Sequence, residues 1–451
     1  MDQPSPTSKL LRALGVAALL SVGIFITWLL ISDRQSQSDQ ARRSIAEGWG
    51  GPQVVSGPEL SIPFKVTVPG ATDGNGRTVT GPVMTEKRLV LAPQGVDLAT
   101  RIAPERRARS IYEVVVYRAD TQGRATFALP ADLTRLGVPA GALELNRAEL
   151  RFGVADPRGL SANPQIRVDG RLLPLGPGGG TSLVSTGFYA PIDLTQVNPA
   201  RFSVDLHFAL RGNESFALAP RAGDTAWKLT SAWANPSFSG GFLPEQREVG
   251  KSGFSAAYRI GNLALGRSLL FVEGAEPARP EGGDGAASAT AGVDLMQPVD
   301  LYRQVDRATK YGFLFIGFTF LAFLLFDIVG GVRVAAIEYL LTGAALVLFF
   351  VLLLAFAEVI GFTAAYILAA GAIAALNTAY SAAVLRSWRR GLVIGGILVG
   401  LYAMLYVLLS LQACSLLIGA LLLLAALAGT MYVTRRLDWT GARPADPANS
   451  L

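Results

Sequence analysis

The chain has 451 residues, 51% of them hydrophobic, a formal net charge of +6, one cysteine and one histidine. That inventory excludes a disulfide framework, and it leaves no cast for metalloproteolysis or for Ser-His-Asp and Cys-His catalysis. The positive charge does not signal nucleic acid, because no basic run is interleaved with aromatic residues.

In chain order, the first apolar stretch is 10–31, long enough for the ~20 residues with which a helix crosses a hydrocarbon core. Lys9 and Arg12 precede it, which keeps the N-terminus in the cytoplasm. It is longer than a secretory signal's apolar region, and Ser32-Asp33-Arg34-Gln35-Ser36-Gln37 follows without an Ala-x-Ala site, so it reads as an uncleaved anchor. Residues 33–50 extend that helix, ending at Gly48. Beyond it the apolar period shifts towards two. Residues 110–119 and 124–129, separated by Asp120-Thr121-Gln122-Gly123, predict a hairpin. Further strands are expected at 149–154, 165–168, 202–210, 215–218, 226–232, 254–260 and 269–272. Gly and Pro clusters punctuate them, with a plain loop at 175–181. Short strands with frequent turns predict a large, mainly antiparallel, sandwich-like β domain, in one piece or two packed subdomains. Residues 274–292 are poor in large apolar side chains and read as a mobile loop.

Five more apolar stretches follow, at 311–329, 335–357, 360–385, 392–411 and 416–433. The expected fold class is therefore a membrane α-helical bundle of six transmembrane helices plus the β domain. Arg333, then Arg386, Arg389 and Arg390, then Arg435 and Arg436 fall on the turns that alternation puts inside. The turns near Glu358 and at 412–415 carry no Lys or Arg. The N- and C-termini are thus expected in the cytoplasm and residues 33–310 outside it. Arg303, Arg307 and Lys310 lie on the outer side, alternating with Asp300 and Asp306. Cys414 falls at the outer membrane boundary, as a free thiol or an interchain partner.

The search for chemistry yields no catalytic, cofactor-binding or metal-ligating assignment. His207 alternates with apolar residues and reads as a hydrogen-bonded strand histidine. The glycines at 178–180 lack the lysine of a phosphate loop, and Lys228, Lys251 and Lys310 follow no recognisable serine motif. Asp327, Glu338 and Glu358 sit near span ends, with Arg333 as the expected partner of the first two. Asn377 is the deepest polar candidate and is placed to join helices by hydrogen bonds, while Gly395-Gly396 permits close helix contact. A transporter would show a charged or broken-helix site at mid-membrane, and none is evident. Two constellations stand out. Trp233, Pro236, Phe238, Phe242 and Pro244 form either a contact surface for a partner or glycan, or a turn sealing one end of the sandwich. Asp306, Arg307, Lys310 and Tyr311 are expected to pin the domain's exit strand to the membrane interface.

At 224–253 the sequence reads DTAWKLTSAWANPSFSGGFLPEQREVGKSG, and at 292–327 it reads GVDLMQPVDLYRQVDRATKYGFLFIGFTFLAFLLFD. Together with GPELSIPF at 57–64, PERRARSIYEVVVY at 104–117 and TRRLDW at 434–439, these blocks resemble the CreD family of bacterial inner membrane proteins. The resemblance implies a multi-pass protein of the Gram-negative inner membrane that maintains envelope integrity under cell-wall or β-lactam stress, linked to a two-component system. It implies no established enzymatic activity and carries over no catalytic residue. The expected domains are a cytoplasmic N-terminus and anchor (1–32), a periplasmic β-rich domain (33–310), a five-helix membrane domain (311–434) and a cytoplasmic tail (435–451). Expected partners are the lipid bilayer and envelope proteins or cell-wall components, with no nucleic acid, and the oligomeric state stays open. The expected mode of action is non-enzymatic. A transporter or handler of lipid or wall precursor is the alternative, and an envelope hydrolase the third. The chain departs from the family pattern at Ala335 and Ala336 (commonly His-Pro), at Val359 (usually His) and at Ala413-Cys414 (usually an acidic pair).

Overall fold

The computed structural model describes residues 6–68, 83–109, 112–139, 141–274, 289–295, 301–312, 316–321, 335–384, 386–410 and 415–435. The chain divides into two compact units, Gln40–Pro298 and the combination of Met1–Asp39 with Val299–Leu451.

The first unit is built of strands. In chain order they are β1 (Gln53–Val68), β2 (Val83–Leu91), β3 (Gly95–Arg109), β4 (Tyr112–Phe127), β5 (Ala148–Val154), β6 (Gln165–Val168), β7 (Arg171–Leu172), β8 (Gly176–Pro177), β9 (Gly187–Ile192), β10 (Phe202–Asn213), β11 (Ser215–Ala219), β12 (Asp224–Ser231), β13 (Pro236–Gly240), β14 (Gln246–Gly250), β15 (Gly253–Gly261), β16 (Leu270–Val272) and β17 (Ala291–Leu295). One sheet runs β13-β17-β11-β1-β5-β9-β8, with β2 branching from β1 and β16 from β2. The other runs β14-β15-β12-β3-β4-β10-β6-β7. β1 pairs with β11, and β3 with β12, in parallel, so both sheets are mixed. A single core cluster draws on both: Leu60, Leu150, Phe152 and Phe188 from the first, Tyr117, Phe127, Phe202 and Trp227 from the second. Phe152 stacks on Phe188 at 4.8 Å and Trp227 on Tyr258 at 4.9 Å. The indole N–H of Trp227, buried where water cannot serve it, donates to Thr100 Oγ1 at 3.0 Å. Truncating a ring buried this deeply costs about 3–5 kcal/mol.

The hairpin expected around 120–123 is absent, because β4 runs unbroken through those residues. Its real partner is β3, in antiparallel register from Gly95↔Thr126 to Arg109↔Tyr112. Thr121 is buried while Gln122 is exposed, the alternation of a strand. Gly123 serves close approach instead of a turn, since a Cβ there would collide with the Asp97 carbonyl oxygen. β1 escaped notice for the opposite reason. Its Gly57, Pro58 and Pro63 read as breakers, yet a bulge between Ser56 and Glu59 falls where β1 exchanges β11 for β2 as its neighbour. The loop expected at 274–292 already ends in β17 at Ala291, and residues 275–288 lie outside the described ones.

The second unit is helical. α1 (Pro6–Trp49) is one continuous helix whose residues to Asp39 belong to this unit. α2 (Leu301–Lys310) stands where an exit strand was expected, and this moves the domain boundary from 310 to 298. Its periodicity gives the reason: Tyr302, Val305, Ala308 and Thr309 are buried along one face, a spacing that only a helix lines up. Then come α3 (Ala336–Ile360), α4 (Phe362–Val384), α5 (Trp388–Ser410) and α6 (Ser415–Thr434). Among the described residues four helices are long and apolar enough to cross a membrane, not six: Leu14–Ala41, Ala336–Ile360, Phe362–Val384 and Trp388–Leu409. The expected span at 311–329 lies largely outside the described residues, and α6 occupies the last one. α3 is the hub. Phe349 and Phe350 are fully buried, and Gly343 and Gly23 admit the side chains of Leu20 and Val347 against the backbone.

Candidate functional site

The aromatic block of the β unit packs inward. Trp233 is 9% exposed, belongs to the core and donates its indole N–H to the Asn235 carbonyl at 3.1 Å. Phe238, on β13, meets Phe254 edge-on at 5.6 Å, and Phe242 packs against the same core. β13 is held to β17 in antiparallel register, and the N–H of Phe242 donates to the Thr290 carbonyl at 3.2 Å. Gly240 takes φ +97°, where a Cβ would strike that same carbonyl. Pro236 and Pro244 are half-buried, and Leu243 is the block's exposed apolar side chain. The three rings thus anchor an edge of the sandwich.

The charged constellation of α2 lies on the helix face opposite the buried one. Asp306 and Lys310 pair at 2.6 Å, one helical turn apart. Arg307 and Tyr311 are half-buried. From the buried face Tyr302 donates its hydroxyl to Glu358 Oε1 at 3.2 Å, which fixes α2 to the end of α3. Glu338 accepts from its own helix start, Ala335 N, at 2.8 Å. Asp327, Arg333 and Cys414 lie outside the described residues.

Sequence reasoning missed a charged network on the face of the first sheet. Glu59, at the β1 bulge, is 1% exposed, and Arg221, in the turn between β11 and β12, is 4% exposed. Their Oε1 and Nε lie 3.6 Å apart. Ser182 ties them together. Its N–H and hydroxyl donate to the two Glu59 oxygens at 2.8 and 2.6 Å, and its hydroxyl accepts from Arg221 Nη1 at 3.1 Å. Arg221 also donates to the Ser268 carbonyl at 3.3 Å and lies 4.3 Å over Phe271. Nearer solvent, Glu149 accepts from Arg88 and from Arg151, both at 3.0 Å, and Arg151 faces Glu273 at 3.9 Å. Three guanidiniums therefore face three carboxylates, so the face presents no net charge to a ligand. Arg221 stays protonated and cannot take the Ser182 proton, and both Glu59 oxygens are already engaged by that serine. The arrangement fixes the glycine-rich loop to β1. A second lock sits at Trp49, where Arg107 lies 3.7 Å and Arg211 5.1 Å from the ring, and the indole N–H donates to the Tyr117 carbonyl at 3.3 Å. His207 is exposed and pairs with Asp120 at 3.1 Å. Among the described residues no group of three His, Cys, Asp or Glu side chains is placed to hold a metal.

In the helical unit, a groove of about 500 Å³ runs between α4 and α5. Ala370, Gly371, Ala374 and Ala403 keep it open, and Tyr366, Tyr402 and Tyr406 line it. Tyr366 donates its hydroxyl to the Tyr402 carbonyl at 2.7 Å, so the polar end of that ring is turned into the protein.

The family model described as inner membrane protein CreD matches residues 5–440, which takes in both units. The chain belongs to the CreD family. It is 30% identical over 436 residues to the inner membrane protein CreD of Escherichia coli (strain K12), covering 96% of this chain and 93% of that one. The CreD blocks read from the sequence fall on the parts just described: 224–253 holds β12 to β15 and the Trp233 anchor, 292–327 holds β17 and α2, and 57–64 holds Glu59. The departures from the CreD pattern have visible places too. Ala335 precedes α3, and Val359, beside Glu358, is 82% exposed.

Proposed function

We propose that this inner membrane protein supports cell envelope integrity under cell-wall or β-lactam stress, acting without catalysis through a β domain held on the periplasmic side. Both termini then lie in the cytoplasm, the side that the arginines on alternate turns favour. The observation that carries the reading is a CreD match over almost the whole chain, joined to a large β unit whose charged face is internally neutralised and built for rigidity. The role of such a domain is to bind or scaffold envelope proteins or cell-wall components. Deleting the gene and challenging cells with detergent or a β-lactam tests it: sensitivity and altered shape are expected, and an unchanged response argues against the role. A reporter enzyme active only in the periplasm, fused near residue 200, tests sidedness and is expected to be active there and silent at the carboxyl tail.

The groove between α4 and α5 favours a second reading, a protein that handles lipid or a lipid-linked wall precursor. It is lined almost wholly by apolar side chains and its volume of about 500 Å³ is enough to take hydrocarbon. Purified protein in liposomes that neither moves nor retains such molecules would remove this option.

A further inference from the structure

Polar side chains inside a membrane-spanning bundle need partners, because lipid supplies none. At the end of the helical unit that holds the α3–α4 turn several have them, although Gln304 Oε1 has none among the described residues. Tyr302 reaches Glu358 at 3.2 Å, Thr363 reaches Tyr406 at 3.5 Å, and Tyr366 reaches the Tyr402 carbonyl. At the opposite end four such groups gather. Thr319, Thr342, Asn377 and Ser381 are each at most 2% exposed. Yet among the described residues Thr319 Oγ1, Thr342 Oγ1, Asn377 Nδ2 and Ser381 Oγ have no hydrogen-bond partner. A helical threonine has a local remedy, donating to the carbonyl one turn back. Thr27, Thr309 and Thr378 take it, at 2.9, 3.0 and 2.6 Å. Thr319 and Thr342 do not, although both sit in helices.

These four groups belong to one region. Thr342 lies in the second turn of α3, Ser381 in the last turn of α4, and Asn377 one turn deeper on the same face of α4. α3 and α4 are antiparallel neighbours joined at Gly361, so the start of one lies beside the end of the other. Phe320 meets Tyr339 edge-on at 5.4 Å and lies 3.0 Å from where a Cβ on Gly343 would sit. That brings its neighbour Thr319 to the level of Thr342. On the other flank, Gly391 and Gly395 let α5 press onto Ala382 and Thr378, the residues beside Ser381 and Asn377.

We propose that this end of the bundle encloses a hydrated inlet between α3 and α4, lined by Thr319, Thr342, Asn377 and Ser381, with water as the ligand of their unpaired hydroxyls and amide. Water needs two to four polar partners to be held in a protein interior, and four unpaired polar groups are gathered at this end. None of these four side chains is charged, so what they offer an occupant is hydrogen bonds. The inference rests on the helices spanning a membrane and is independent of the envelope role.

The test uses the full-length protein in liposomes with Cys414→Ser as background. Single Thr342→Cys, Asn377→Cys and Ser381→Cys variants are exposed to a water-soluble methanethiosulfonate, which reacts with the thiolate that only water allows to form. Leu346→Cys, equally buried but on an apolar stretch of α3, is the control. Labelling at least about ten times faster than the control is expected at 342 and 381, and rates equal to the control overturn the inlet. Thr342→Val gives a second readout that needs no cysteine. In a hydrated inlet it lowers the thermal midpoint by removing a hydrogen bond to water. In a dry interface it removes an unsatisfied hydroxyl, and a raised or unchanged midpoint overturns the inlet.

Discussion

Replacing Arg221 with methionine leaves Glu59 sealed in the β unit without its counter-charge. Glu59 would keep only the two donors of Ser182, at 2.8 and 2.6 Å. Removing one partner of a buried ion pair costs about 3–5 kcal/mol, against a total domain stability of about 5–15 kcal/mol. The guanidinium's contact with Phe271 adds to the loss, although methionine regains part of that packing. The double variant Glu59→Met/Arg221→Met behaves differently. Exchanging a whole buried pair for apolar side chains is close to neutral, and Ser182, which is exposed, turns its donors to water. The two substitutions should therefore couple by at least about 3 kcal/mol, since the double variant regains what the single one loses. Denaturant unfolding of the full-length protein in detergent, followed by tryptophan fluorescence to which the buried Trp227 contributes, measures each corner of the cycle. If the single losses simply add to within about 0.5 kcal/mol, Glu59 and Arg221 do not depend on each other and the lock described above does not exist.

Gly123→Val should destabilise the β unit severely, because the new side chain meets the Asp97 carbonyl and Leu98 where β3 and β4 approach most closely. Unfolding midpoints check this, with Gly95→Ala, where the nearest side-chain atom is 3.5 Å away, as the tolerated control. Thr100→Val removes the acceptor of the Trp227 indole and should cost about 1–3 kcal/mol, the penalty of an unsatisfied buried donor. Asp294, on β17, has its carboxyl pushed above the usual range by burial, partly offset by a hydrogen bond with Ser239. The folded chain therefore holds the Asp294 proton more tightly than the unfolded one, and ionisation opposes folding above the raised value. Asp294→Asn should raise the midpoint at neutral pH, and that advantage should fade as acid protonates the carboxyl.

The helical unit was largely legible because length and hydropathy decide it: the expected 335–357 and 360–385 fall almost on α3 and α4. Strands with clean alternation were legible as well, and 165–168 and 215–218 were found nearly to the residue. β1 was not, because Pro58 and Pro63 look like breakers until the exchange of neighbours at the bulge shows where the ladder tolerates them. The turn at 120–123 was misplaced because Gly123 carries the same letter whether it bends a chain or admits a neighbouring backbone. α2 was hidden by expectation alone, since its buried residues already repeat at helical spacing. Of the candidate site, composition revealed the aromatic block but not which way its rings face. Glu59 and Arg221 were invisible as a pair, being far apart in sequence and joined only by the fold. Asn377 was singled out as a helix-joining residue, yet among the described residues its Nδ2 donates to nothing. The three neighbours that share its isolation emerged only with burial.

The exchange of neighbours along β1 also bears on how the polypeptide is made. β1 emerges from the ribosome early, but it shares a sheet with β11, and β11 in turn waits for β17, whose last residue is Leu295. Closing loops of that span is slow, and until the last strand arrives the nascent sheet carries unpaired edges that invite wrong partners. Synthesis of almost 300 residues must therefore finish before the β unit can close.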